Sequence, residues 1–155
     1  ARANELLAQK LHQFTRRLMR TRSLAETLTQ IEASLREDFD ASLSRLVLVG
    51  IDVPKGDFSE RFLRSVATDD AILRSFENLF ATGKPRCGQV RDSHREFLFS
   101  DEANDIGSVA LVPLGDKGSL GLLAVGSSDR NRFHLGMSTD FLARMGELVT
   151  DAIAQ

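Results

Sequence analysis

An α+β domain is the fold class that this chain predicts, and three observations carry the prediction. Ser108 to Ser127 (SVALVPLGDKGSLGLLAVGS) sets two apolar runs around a short Asp-Lys-Gly turn, the pattern of a β-hairpin. Leu43 to Ile51 contains Leu46-Val47-Leu48-Val49, apolar on both faces as in a strand central to a sheet. Apolar residues recur at helical spacing near both ends, at Leu7, Leu11, Phe14 and Leu18 and again at Phe141, Met145 and Leu148.

Taken in order, residues from Ala3 to about Arg20 contain no Gly or Pro and predict the first helix. Its four apolar residues alternate spacings of four and three, the seam of a coiled coil, with Asn4 and Thr21 as polar positions in the same register. An amphipathic helix lying on its own core has the same signature. Pairing with another helix is the preferred expectation, because a helix at a domain edge has little else to cover it. Arg16, Arg17, Arg20 and Arg22 cluster where the helix dipole favours cations.

Ser23 with Glu26 predicts a capping box opening a second helix, which carries Leu24, Leu28, Ile31 and Leu35 on one face and ends at Arg36-Glu37-Asp38. After the Leu43 strand, Pro54-Lys55-Gly56-Asp57 is a turn. Thr68 or Asp69 caps a helix through Ala71, Ile72, Phe76, Leu79 and Phe80, stopped by Gly83 with Pro85 beyond. Arg86 to Val90 reads as a short strand, Asp92 or Ser93 starts a brief helix through Phe99, and Ser100 to Gly107 is an acidic loop. The hairpin follows, and Met137 to Ile153 forms the last helix with Ser138 or Thr139 near its cap.

Length and charge bound the function. At 155 residues the chain is one domain by expectation, with a core of its own. A net charge of −2 lacks the basic excess that phosphate contacts need, so nucleic acid is not an expected partner. Apolar runs such as Leu120 to Val125 are too short for a bilayer, so no membrane association is expected. The single Cys87 excludes an internal disulfide framework and suits a reducing compartment, which makes the cytoplasm the expected location. Ala1 in place of Met, at the start of an uncapped helix, suggests that sequence continues upstream. Ten Phe residues without Trp or Tyr argue against an aromatic cage for a quaternary amine.

The tests for chemistry return little. Gly115, Gly118 and Gly121 lie between two strands and lack the helix a dinucleotide fingerprint requires. Gly83-Lys84-Pro85 lacks both flanks of a phosphate loop, and no G-x-S-x-G elbow occurs. His94-Arg95-Glu96 has the H-x-E of a zinc deaminase without its P-C-x-x-C. His12, His94 and His134 are scattered over three elements, and Asp101 to Gly107 misplaces its carboxylates for a calcium loop. No catalytic residue, metal or cofactor is expected. Lys84 and Arg86 would lower the pKa of Cys87 if its thiol were reactive, but a small buried residue is the preferred reading. One constellation stands out: Arg86, Arg91 and Arg95 beside Cys87, Phe97 and Phe99, suited to an anionic or planar ligand held against a sheet.

The order of elements, with the Ser108 hairpin followed by Phe133, Asp140 and Phe141-Leu142, resembles the GAF fold. More narrowly, CGQVRDSHREFLFSDEANDIGSVALVPLG and RFHLGMSTDFLARMGELV resemble the proteobacterial GAF-like family known as domain of unknown function 484. The resemblance implies a central antiparallel sheet, N- and C-terminal helices packed on one face, and an irregular lid from about Arg86 to Asp105 on the other. Residues 1–22 would form a dimerisation or signalling helix, and 23–155 the GAF-like domain. It further implies a small ligand between sheet and lid, here touching Arg86, Cys87, Arg91, Arg95, Phe97, Phe99, Ser108 and Ala110. It also implies a homodimer through Leu7, Leu11, Phe14, Leu18, Phe141, Met145 and Leu148. The N-K-F-D-E motif of cyclic-nucleotide-binding relatives is absent, and the redox enzymes of this fold use several cysteines where this chain has one. The expectation is a non-enzymatic sensory or regulatory module that dimerises and takes an unidentified small molecule. The alternative is a scaffold for a protein partner, its pocket filled by its own Phe side chains.

Overall fold

The hairpin is the centre of the fold in the computed structural model, which describes residues 2–88, 90–134 and 138–155. Strands β4 (Ser108–Leu114) and β5 (Gly121–Ser127) pair antiparallel, with Ser108 opposite Ser127 and Leu114 opposite Gly121. A 3-10 turn at Asp116–Gly118 reverses the chain between them. Gly121 holds φ +132°, and a Cβ there would be driven into the Val47 carbonyl, so only glycine lets β5 approach its other neighbour this closely. That neighbour is β1 (Leu43–Val49), antiparallel to β5. β3 (Arg86–Gly88) pairs antiparallel with β4 at one edge. β2 (Leu63–Val66) runs parallel to β1 at the other, and the sheet order is β2-β1-β5-β4-β3.

Both faces of this sheet are covered, as the unbroken apolar runs require. Helices α1 (Arg2–Met19), α2 (Leu24–Asp38) and α6 (Asp140–Ala154) lie on one face. They pack on Leu46, Leu48, Ala110, Val112, Leu114, Leu123 and Val125. The alternate residues Val47, Val109, Leu111, Leu122 and Ala124 meet a second layer on the other face. That layer is made of α3 (Ile72–Ser75), α4 (Glu77–Thr82), α5 (Asp92–Phe99) and a 3-10 turn at Ser100–Asp105. The result is the expected α+β class and is consistent with a GAF-like arrangement, but the sheet is mixed rather than wholly antiparallel, because β2 pairs parallel to β1 at its edge.

Local chemistry explains where elements start and stop. The Ser23 hydroxyl accepts from the Glu26 N–H at 3.2 Å, and the Glu26 carboxylate accepts from the Arg22 N–H at 2.8 Å. This closes the capping box one residue earlier than the standard pairing. The helix expected from Ala71 to Phe80 is two short ones. The Ser75 hydroxyl donates to the Ile72 carbonyl at 2.7 Å, and Phe76 leaves helical geometry as its ring is drawn into the core. Gly83, at φ +65°, closes α4 in the left-handed conformation expected of it. The acidic stretch from Ser100 is a 3-10 turn rather than a loop. The expected helix start at Met137 lies outside the described residues, as does Gln89 of the expected Arg86–Val90 strand; α6 itself begins at Asp140.

The apolar seam of α1 faces the domain. Phe14 and Leu18 are buried, and the Phe14 ring meets Phe39 edge-on at 5.7 Å, which in turn packs on Phe141 at 5.4 Å. An Arg17–Asp38 ion pair fastens α1 to the end of α2. No helix among the described residues is long and apolar enough to cross a membrane.

Candidate functional site

The space between sheet and lid is where a ligand was expected, and the chain's own side chains occupy it. The lid is wider than expected, taking in α3 and α4, and from it Phe76, Leu79, Leu98, Phe99, Ala103 and Ile106 descend onto Val47, Val109, Leu111, Leu122 and Ala124, all eleven buried. The fit leaves no slack at its centre. A Cβ added at Gly126 would come within 3.1 Å of the Phe99 ring and 2.9 Å of the Ile106 side chain. At the far end, the Phe80 ring lies against Gly118 so closely that any side chain there would collide with it.

Arginines fasten the lid. The buried Arg45 guanidinium, on β1, donates to Glu102 at 2.6 Å and to the Ser44 carbonyl at 2.8 Å, and it lies 5.6 Å from the Phe99 ring centre. Arg61 donates to the same Glu102 oxygen at 3.4 Å. Arg64 donates to the Ser100 hydroxyl at 2.7 Å while lying over Phe97. Arg95 donates to the carbonyls of Ala103 and Ile106, closing the 3-10 turn from inside. Ser100 adopts φ +46°, costly for a residue with a Cβ, and the Arg64 hydrogen bond helps hold it there. Sequence reasoning missed Arg45, Arg61, Arg64 and Glu102. The available signal was Arg45 itself, the one charge in a strand whose other residues, Ser44 apart, are apolar.

His94, on α5, is buried within this lid. Its ring stacks on Phe76 at 4.1 Å, and Nε2 hydrogen-bonds the Ser75 carbonyl at 2.9 Å, which makes that nitrogen the protonated one in the neutral ring. Burial pushes its pKa below the ordinary 6.5; the Ser75 bond opposes this, and Arg91 and Arg86 reinforce it. Because the unfolded chain takes up the proton first, stability falls as pH drops below 6.5 and levels off below the folded value. Urea midpoints at about pH 7.5 and about 5.5 should fall less in His94→Gln than in the parent chain.

The residues expected to hold a ligand do not form one site. Phe97 and Phe99 belong to the lid cluster, Phe99 fully buried and Phe97 partly. Cys87 and Ala110 are register partners on the opposite face, among the residues packed by the terminal helices. Burial raises the Cys87 thiol pKa, with Arg132 opposing, so the thiol is protonated at neutral pH. Arg86 and Arg91 are exposed. The Ser108 hydroxyl is buried and used, donating to the Asp129 carbonyl at 2.6 Å and accepting from the Phe133 N–H at 3.2 Å. Arg95 and Ser108 do share one feature, an open crevice of about 410 Å³ at the rim of the lid. Among the described residues, no three His, Cys, Asp or Glu side chains gather as metal ligands.

The residues expected at a dimer interface divide along α1. Phe14 and Leu18, with Met145 of α6, are buried within the chain. Leu11, Phe141 and Leu148 are partly buried against the same core, and Leu7 is half-buried. Leu6, by contrast, is 52% exposed.

A family model described as "Protein of unknown function, DUF484" matches residues 1–155. No curated protein matches the chain.

Proposed function

The chain belongs to the DUF484 family, and we propose that it is a non-enzymatic regulatory module that acts by contact with protein. The observation that carries this reading is the filled space between sheet and lid, where eleven buried side chains take the place a ligand would need. A packed interior of this kind is a rigid body that presents surfaces. The histidine beside it, His94, is engaged in stacking and a backbone hydrogen bond.

The surface we assign to that contact is the N-terminal half of α1, and the partner is a second copy of this chain. The apolar seam passes from buried at Leu18 and Phe14 to half-covered at Leu11 and Leu7, and Leu6 beside it is open to solvent. A second α1 would complete the cover in the manner of a short coiled coil. Sedimentation at high micromolar concentration should therefore report a dimer. Replacing both Leu6 and Leu7 by Glu should return it to monomer with the circular dichroism spectrum unchanged. A parent chain that stays monomeric at that concentration would overturn the dimer.

A further inference from the structure

The rim crevice is built differently from the rest of the lid. It opens where α5 meets the start of β4, with Val90, Ile106 and Val109 along its apolar side and Arg95 and Arg130 among its polar lining. Its volume of about 410 Å³ falls within the range of small-molecule sites. Arg95 is partly buried and spends one terminal nitrogen on two carbonyls, and among the described residues it forms no ion pair. Every other partly buried guanidinium that fastens this lid or the α1–α2 corner has a carboxylate or hydroxyl partner. Arg130 is exposed and equally unpaired among the described residues, while Asp105 shares the lining without bonding to either. Two guanidiniums against one carboxylate leave the crevice with a net positive charge.

We propose that this crevice binds a small organic carboxylate, its carboxyl group on Arg95 and Arg130 and its apolar body against Val90 and the Gly107 backbone, over the buried edge of Ile106 and Val109. A guanidinium pairs a carboxylate through parallel hydrogen bonds, and a partly buried one without a counter-ion favours an anion most. Asp105 restricts the site to a single negative charge, since a dianion would meet it as a like charge. Such a ligand would bridge the lid turn and the segment after β5, two parts of the rim that the Gly107–Ser127 backbone bond and the Ser108 hydroxyl also join. The site sits at the edge of the filled sheet–lid space, sharing Ile106 and Val109 with it, and its test at the exposed Arg130 leaves that packing untouched.

The test is an NMR titration of the isotope-labelled full chain with benzoate, with benzyl alcohol and inorganic phosphate as comparisons. Benzoate should give saturable shifts at Gly107, Val109 and the Arg95 side chain at millimolar concentration. Arg130→Gln, an exposed change that leaves the fold intact, should weaken it about tenfold, the value of one charged hydrogen bond. Benzyl alcohol should bind far more weakly. Absence of saturable shifts, or equal affinity in Arg130→Gln, would overturn the site. Equal affinity for phosphate would overturn its assignment to an organic carboxylate.

Discussion

Phe99→Ala should lose about 3–5 kcal/mol of stability, the cost of removing a fully buried phenyl group from a core that cannot close around the gap. Phe99 is 1% exposed, its ring edge packs with Ile106 over Gly126, and it supports the Arg45 guanidinium. A domain of this size has about 5–15 kcal/mol in total, so the loss would be a large share of it. The midpoint of urea unfolding reads the effect directly, with an unchanged slope showing that both end states are preserved. A residue lining a vacant ligand pocket would behave otherwise, since truncation there enlarges a space that already exists. A loss below about 1 kcal/mol would therefore count against the filled space.

Glu102→Ala should cost about 3 kcal/mol, because it leaves the Arg45 guanidinium buried with only the Ser44 carbonyl. Arg45 exposes 8% of its side chain and Glu102 26%, so solvent does little to compensate the lost partner. Removing both charges should recover much of the loss: Arg45→Met with Glu102→Leu keeps the volume and buries no unpaired ion. A double-mutant cycle measures the coupling, and a near-zero value would show that the pair does not hold the lid. Arg61→Ala serves as the control. Its guanidinium is largely exposed at 3.4 Å from the same oxygen, where an ion pair is worth little.

How much of this was legible in the sequence depended on whether a signal was local. The β4–β5 hairpin, the Ser23 cap and the Gly83 stop were all readable, because turn and capping chemistry is written within a few residues. β1 was readable from its run of apolar residues. β2 was not: Leu-Arg-Ser-Val has no run and no clean alternation, and it becomes a strand by pairing parallel to β1. The split at Phe76 was hidden for a related reason, since the helical spacing of Ile72, Phe76 and Leu79 also suits two short helices pulled onto one core.

The candidate site shows the limit more sharply. Arg86, Cys87, Arg91, Arg95, Phe97 and Phe99 are neighbours in sequence, yet strand alternation sends Cys87 to the helical face while the two Phe rings enter the lid. Sequence proximity in a strand-then-helix segment does not specify a shared side. The lid's actual fastening joins Arg45 to Glu102 across 57 positions, and a single sequence carries no mark of such a pairing beyond the oddity of a charge in an apolar strand.

Native mass spectrometry of the chain, after exhaustive dialysis, tests the central claim most directly. The account predicts a particle whose mass is that of protein chains alone, two per particle. A small molecule that is retained through dialysis in fixed proportion and released only on unfolding would contradict it, because nothing of that kind fits between this sheet and this lid.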